Sequence, residues 1–159
     1  MKTSNELYLA DQLKNILIGR VCILGVGNRM KGDDGVGSLL IDRISGRISA
    51  DCLDSGIAPE NFLEKIVRLK PDTVMVVDAV DFGGIPGERR VFKPEDIVPG
   101  GVSTHALSLQ MVCDYLKACI PVRIFLLGIQ PGIAGFGEGL SSDVAGSLDS
   151  LVDTFLGLR

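Results

Sequence analysis

The chain is predicted to fold as an α/β domain, in which a mostly parallel sheet carries helices on both faces. Short apolar runs alternate with amphipathic runs along the whole chain, as expected when each strand is followed by a helix. Hydrophobic residues make up 46% of the chain, but only 5% are aromatic and none is Trp. Such an aliphatic core is typical of buried parallel strands. A length of 159 residues suits one domain, which we assign to residues 1–159.

The predicted helices share apolar residues at steps of three and four. In chain order they cover residues 4–17, 38–44, 59–69, 103–117 and 141–155. Ser4 is expected to cap the first helix, and Ser141 or Ser142 the last. Residues 1–20 are interpreted as an N-terminal helical extension that packs against the sheet.

The predicted strands are aliphatic, largely β-branched runs that end at turn-forming or polar residues. They cover residues 21–24, 50–53, 73–77, 88–92 and 122–129. The run that contains Arg89 and Arg90 suits an edge strand, where charged side chains can reach water. Pro94 and the residues after it could form one helical turn within a loop.

Composition excludes several classes of function. The net charge of −4 and the pI of about 4.9 argue against a general nucleic-acid binder. The four cysteines form no Cys-x-x-Cys pair, so neither a zinc ribbon nor a thioredoxin-type motif is indicated. No apolar run is long enough to insert into a membrane, and no secretory signal is present, so we expect a cytoplasmic protein with reduced thiols.

Polar residues are expected to gather at one edge of the sheet, because the carboxyl ends of parallel strands meet there. A loop with five glycines follows the first strand and carries two adjacent carboxylates. Together with the residues at later strand ends, the predicted set is Asp33, Asp34, Asp54, Asp78 and Gln130. His105 is the only histidine and opens a helix that could enter from the same edge. A helix N-terminus disfavours the imidazolium, so we expect a neutral His105.

Two carboxylates and one imidazole could hold a divalent metal and leave coordination positions open. Oxygen and nitrogen ligands suit nickel, zinc or manganese. Structural roles stay open for each residue alone: Asp34 as a helix cap, Asp78 as a cap after its strand, and His105 as a core histidine.

Three other motifs are weaker. Gly25-Val26-Gly27 begins like a dinucleotide-binding fingerprint, but Met30 stands where its third glycine belongs. No P-loop lysine and no nucleophile elbow is present. Asp54-Ser55-Gly56 matches the short pepsin-like signature, but it occurs once, whereas such dyads need two carboxylates.

The ordered motifs resemble those of the hydrogenase maturation endopeptidases. The resemblance begins at about Val21 and is carried by Gly25-x-Gly27-Asn28, Gly32-Asp33-Asp34-Gly35-x-Gly37, Leu53-Asp54-Ser55-Gly56, Val77-Asp78-Ala79, Pro86-Gly87-Glu88, Ser103-Thr104-His105 and Leu127-Gly128-Ile129-Gln130-Pro131. It implies a three-layer α/β/α sandwich, whose twisted, mostly parallel sheet has about five strands and one antiparallel edge strand.

The resemblance also implies a function. Family members are aspartic-type endopeptidases that remove the C-terminal extension from the nickel-loaded precursor of a nickel–iron hydrogenase large subunit. The residues that contact metal in the family correspond to Asp34, Asp78 and His105, and the nickel belongs to the substrate. Asp54 would support the site or act as a general base, while Asp33 would brace the loop. Residues 83–87 and 132–139 would hold the substrate's tail.

Two alternatives differ in class from this endopeptidase. A nickel-sensing chaperone would bind the same precursor without cutting it, and a nucleotide-binding α/β protein would not recognise it. For the endopeptidase we expect a monomer.

Overall fold

The structure, a computed structural model, describes residues 1–97, 105–132, 135–137 and 139–158. Its centre is a five-stranded sheet with the strand order β2-β1-β3-β5-β4. The strands are β1 (Val21–Gly25), β2 (Asp51–Asp54), β3 (Thr73–Ala79), β4 (Arg89–Phe92) and β5 (Arg123–Ile129). Only β4 runs antiparallel to its neighbour, β5, among these strands. The predicted antiparallel edge strand is therefore confirmed.

Helices cover both faces of the sheet, which confirms the three-layer arrangement. They are α1 (Ser4–Ile16), α2 (Val36–Ile44), α3 (Leu63–Leu69), α4 (Ala106–Cys119) and α5 (Ser142–Gly157). One apolar core lies between the sheet and α1, α2 and α5, and a second lies between the sheet and α3 and α4. Side chains of β1 alternate between the two cores, with Ile23 in the first and Cys22 and Leu24 in the second. Both faces are thus buried, as in other parallel sheets with helical layers.

The strand register aligns the carboxyl ends of the parallel strands. Gly25 at the end of β1 pairs with Asp54 on one side and Val77 on the other. Asp78 pairs in turn with Gly128. The loops that leave β1, β2, β3 and β5 therefore emerge along one edge, which we call the carboxyl edge.

Several element boundaries differ from the predictions. A 3-10 turn, Gly32–Gly35, contains both adjacent aspartates, and α2 starts directly after it rather than at residue 38. The predicted helix over residues 59–69 divides into a 3-10 turn, Pro59–Phe62, and α3. The predicted helix start at residues 103 and 104 lies outside the described residues.

The first helix is capped by Thr3, so the prediction that Ser4 caps it was wrong. The Thr3 hydroxyl accepts a hydrogen bond from the Glu6 amide, and the Glu6 carboxylate accepts one from the Thr3 amide. This reciprocal pair satisfies two N–H groups at the helix start. Leu9 and Leu13 of α1 are buried in the first core, so the helical extension packs against the rest of the domain. Among the described residues, no helix has the length and apolar character that a membrane crossing requires.

Candidate active site at the carboxyl edge

Two glycines allow the loop after β1 to lie directly against the ends of the strands. A Cβ atom on Gly27 would lie 2.1 Å from the Asp34 carbonyl oxygen, and one on Gly37 would lie 2.3 Å from the Val77 carbonyl oxygen. Real Cβ atoms do not approach backbone oxygens so closely, so a side chain at either position would push the loop outward. Because glycine has no side chain, the 3-10 turn and its aspartates can lie next to β3.

The two aspartates of this turn have different surroundings. The carboxylate of Asp33 is buried and accepts hydrogen bonds from the Gly132 amide (2.8 Å), the Ser141 amide (2.7 Å) and the Ser141 hydroxyl (2.7 Å). Asp33 therefore ties the loop after β1 to the chain between β5 and α5, and its predicted bracing role is confirmed. Ser141 precedes α5 as predicted, but its hydroxyl donates to Asp33 and makes no capping bond to the helix.

Asp34 is half-buried and lies beside Asp78 and His105. Its carboxylate accepts a hydrogen bond from the Asn28 amide at 3.0 Å, which fixes the side chain relative to the start of the loop. The sequence-based interpretation separated the roles of Asp33 and Asp34, and the structure places the two side chains accordingly.

Asp78 and His105 belong to different elements and form a largely buried pair. Asp78 lies within β3, one residue before its end, and its side chain is fully buried. His105 immediately precedes α4, and its Nδ1 lies 3.2 Å from Asp78 Oδ2. Only 12% of the His105 side chain is exposed.

The Asp78 carboxylate raises the pKa of His105 above its ordinary value of 6.5, mainly through their hydrogen bond, and burial opposes the shift only in part. The expectation that the helix N-terminus keeps His105 neutral was therefore wrong in direction for the metal-free protein. A full carboxylate charge in direct contact outweighs the partial charge at a helix end.

One ligand atom from each of Asp34, Asp78 and His105 lies within 4.8 Å of the other two. Ligands of one ion lie at about 2.0–2.2 Å from it, so the three side chains would have to move closer together around a bound ion. With that adjustment the cluster could hold one divalent cation. Two oxygens and one nitrogen match the preferences of nickel, zinc and manganese, and three protein ligands leave positions open for a substrate.

Asp54, the fourth predicted site residue, does not belong to this cluster. Its carboxylate accepts a hydrogen bond from Arg29 Nη2 at 2.7 Å and another from the Gly56 amide at 3.0 Å. Burial alone would raise the pKa of Asp54, but the hydrogen bonds, led by that of Arg29, outweigh it and lower the pKa. A carboxylate with a lowered pKa is a weaker base, so this position favours a supporting role over the general-base role.

Gln130, also predicted at this edge, braces the loop after β3. Its side-chain oxygen accepts hydrogen bonds from the amides of Phe82 and Gly84. Its side-chain nitrogen donates to the Asp81 carboxylate.

The sequence-based reasoning missed the role of Arg29. This side chain contacts the carboxylates of both Asp42 in α2 and Asp54 in β2. It thereby joins the loop that carries Asp34 to two other elements. No local pattern identifies such a contact, because the partners lie 13 and 25 residues away.

The fold and the cluster define a class of protein, namely an α/β domain with a candidate divalent-metal site at the carboxyl edge of its sheet. Comparison with known proteins then identifies the family. The family model for HycI, hydrogenase maturation protease, matches residues 36–158. This range includes Asp78 and His105 and begins just after Asp34.

Individual relatives also match most of the chain. The hydrogenase 3 maturation protease of Escherichia coli K12 is 38% identical over 132 residues, which cover 81% of this chain and 84% of the relative. The crystal structure of the NiFe hydrogenase maturation protease HycI from Thermococcus kodakarensis superposes with a TM-score of 0.83 at 34% identity, covering 92% of this chain and 97% of the other. A crystal structure of the hydrogenase 3 maturation protease gives a TM-score of 0.76 at 34% identity. The match covers 88% of this chain and 91% of the other.

This chain belongs to the hydrogenase maturation protease family, and it is accordingly a peptide hydrolase. The family resemblance inferred from the sequence motifs is confirmed.

Proposed function

We propose that this enzyme removes the C-terminal extension from the nickel-loaded precursor of a nickel–iron hydrogenase large subunit. The observation that carries the proposal is the cluster of Asp34, Asp78 and His105, which a member of the hydrogenase maturation protease family presents at the carboxyl edge. A relative and a structural neighbour, named hydrogenase 3 maturation protease and NiFe hydrogenase maturation protease, support the choice of substrate.

In this proposal the nickel arrives as part of the substrate. The two carboxylates and the imidazole complete its coordination and so place the scissile peptide bond next to the cluster. Because metal ligands must be deprotonated, nickel binding to a protonated Asp78–His105 pair would release a proton. Precursor without nickel lacks this anchor, so the enzyme would distinguish loaded from unloaded precursor.

Cleavage requires a water molecule to attack the carbonyl carbon of the scissile bond. The water is activated by the metal or by a carboxylate of the cluster, and both routes are consistent with the donor set. Asp34 is the carboxylate better placed to accept the water's proton, because it is only half-buried, whereas Asp78 is buried against His105. The tetrahedral intermediate then collapses, and the released amine takes up a proton.

The loops on either side of the cluster would hold the substrate's tail. The loop after β3 includes residues 83–87, and the loop after β5 includes the described residues 132, 135–137 and 139. The partner is thus the hydrogenase precursor, and we expect the enzyme to act on it as a cytoplasmic monomer.

The test is incubation of the purified enzyme with nickel-loaded precursor, followed by mass spectrometry of the intact precursor. A mass loss equal to one C-terminal peptide is expected, and no loss is expected for precursor prepared without nickel. Equal cleavage of both forms would show that nickel is not recognised. Stable binding of the loaded precursor without a change in mass would favour the chaperone.

A further inference from the structure

Four large apolar side chains are exposed on the loops that surround the cluster. One lies on each loop that leaves the carboxyl end of β1, β2, β3 and β5. We call this set the apolar collar: Met30 (58% exposed), Ile57 (62%), Ile85 (77%) and Phe136 (91%). A single exposed apolar residue is ordinary, but one on each of four loops at the same edge of the sheet favours a protein-binding surface.

Backbone hydrogen bonds join these four loops to one another. The bonds run from the Gly27 amide to the Gly56 carbonyl (2.9 Å), from the Gly32 amide to the Gly137 carbonyl (2.8 Å), from the Gly137 amide to the Met30 carbonyl (2.9 Å), and from the Gly87 amide to the Gln130 carbonyl (2.8 Å). Each loop is therefore positioned by a neighbour. The collar side chains are carried on a connected frame around the cluster.

Two of these hydrogen bonds lie next to Phe136 in the chain. The adjacent Gly137 forms two backbone hydrogen bonds to the loop after β1, and the Lys31 ammonium lies 5.4 Å from the centre of the Phe136 ring. The ring therefore has the Lys31 ammonium on one face, and Phe136 is still 91% exposed. Because the collar side chains project from the surface, they suit contact with a macromolecule better than enclosure of a small ligand.

We propose that the apolar collar binds apolar side chains of the substrate protein on both sides of the scissile peptide bond, with that segment extended across the cluster. The inference rests on the proposed function and adds to it the chemistry of the segment that is recognised. The substrate protein is the expected partner of the collar because the collar adjoins the cluster. A chain whose peptide bond lies at the cluster must cross the loops that carry the collar. Burial of the collar against that chain supplies affinity without contact with the reacting atoms.

The chain offers a matched control at the opposite edge of the sheet. Ile18 is 54% exposed, close to the exposure of Ile57, and it precedes β1. Its carbonyl accepts a hydrogen bond from the Thr73 hydroxyl at the start of β3, which places it far from the carboxyl ends. Ile18→Ser removes an equivalent side chain without touching the collar.

The experiment measures precursor cleavage and precursor binding for Ile57→Ser, Ile85→Ser, Phe136→Ser and Ile18→Ser, with thermal unfolding to verify the fold. Each collar variant is expected to lower kcat/KM about tenfold and to weaken precursor binding by the same factor, because about 1.5 kcal/mol of apolar burial is lost. The kcat at saturating precursor should stay within about twofold, since the effect is on binding. Ile18→Ser should match the wild type.

Three outcomes contradict the two proposals in distinguishable ways. If collar variants cut and bind the precursor as well as Ile18→Ser does, the collar inference is wrong while the proposed function stands. If they lower kcat and leave KM unchanged, the collar shapes the site instead of binding the substrate, and the inference is again wrong. If the wild type binds the nickel-loaded precursor without cutting it, the proposed function fails, and the binding data still test the collar.

Discussion

Asp33 and Asp34 are adjacent in sequence and lie in the same 3-10 turn, yet they have opposite environments. Asp33 is 1% exposed, and its carboxylate accepts hydrogen bonds from the described residues Gly132 and Ser141 that join two loops. Asp34 is half-buried and lies within the cluster with Asp78 and His105. The difference shows that one short turn can carry both a brace between two loops and a candidate metal ligand.

Removal of Asp34 is expected to have the largest effect on activity. Asp34→Ala deletes one of three candidate ligands and the carboxylate best placed to accept a proton, so cleavage should fall by more than about a hundredfold. Because the part-buried hydrogen bond to the Asn28 amide is lost, the free energy of unfolding should fall by about 1 kcal/mol. Precursor cleavage assays and urea denaturation measure the two effects. An active Asp34→Ala enzyme would remove the functional distinction between the neighbouring aspartates.

Substitution of Asp33 should show the opposite balance. Asp33→Asn keeps the shape but places an amide against the hydrogen-bond donors of Gly132 and Ser141, in a buried position. The free energy of unfolding should fall by about 3 kcal/mol, since charged buried hydrogen bonds are lost. Urea denaturation provides the measurement, with Asp34→Asn as the matched control. Equal destabilisation by both substitutions would contradict the bracing role of Asp33.

The pH response of His105 tests how the cluster is arranged before metal binds. In the metal-free protein the pKa of His105 should lie above its ordinary value of 6.5, because the Asp78 carboxylate favours the imidazolium. Its contribution to stability is then fully present below pH 6.5 and is lost as the pH rises through the raised pKa. NMR titration of this single histidine gives the pKa directly. Asp78→Asn should lower it, and an unchanged value would show that Asp78 is not the cause.

The smallest effect is expected at Asp54. Its ion pair with Arg29 is partly exposed, so Asp54→Asn should cost about 0.5–1 kcal/mol of stability. The rate of cleavage should stay within about fivefold of the wild type, because Asp54 holds Arg29 and lies outside the cluster. A group that orients a metal ligand typically costs more than this when it is changed. A loss as large as that of Asp34→Ala in the same assay would make Asp54 the general base after all.

The sequence was most informative where function depends on strand ends. Alternating apolar and amphipathic runs predicted the sheet, and parallel strands necessarily bring residues such as Asp34 and Asp78 to one edge. Helix caps were less predictable. The hydroxyl of Ser141, at the start of α5, donates its hydrogen bond to the distant Asp33 and does not cap the helix. Such competition is settled by tertiary contacts and leaves no local pattern.

Two features of the site were beyond sequence reasoning. The protonation preference of His105 depends on a carboxylate 27 residues away, at a distance that only the packing of α4 on β3 determines. The position of Asp54 depends on Arg29, whose partners lie in two other elements. Both are long-range electrostatic contacts, and neither has a characteristic spacing along the chain.

The central claim is that Asp34, Asp78 and His105 bind the nickel of the substrate directly. Nickel K-edge X-ray absorption of the loaded precursor tests this claim. One spectrum is recorded for the precursor alone, and a second for precursor that is mixed with enzyme and frozen before the first turnover is complete. The wild type should add the scattering of one imidazole to the nickel, and His105→Ala should not. If the wild type cuts the precursor while the nickel spectrum stays that of the precursor alone, the cluster does not contact the nickel and the claim is wrong.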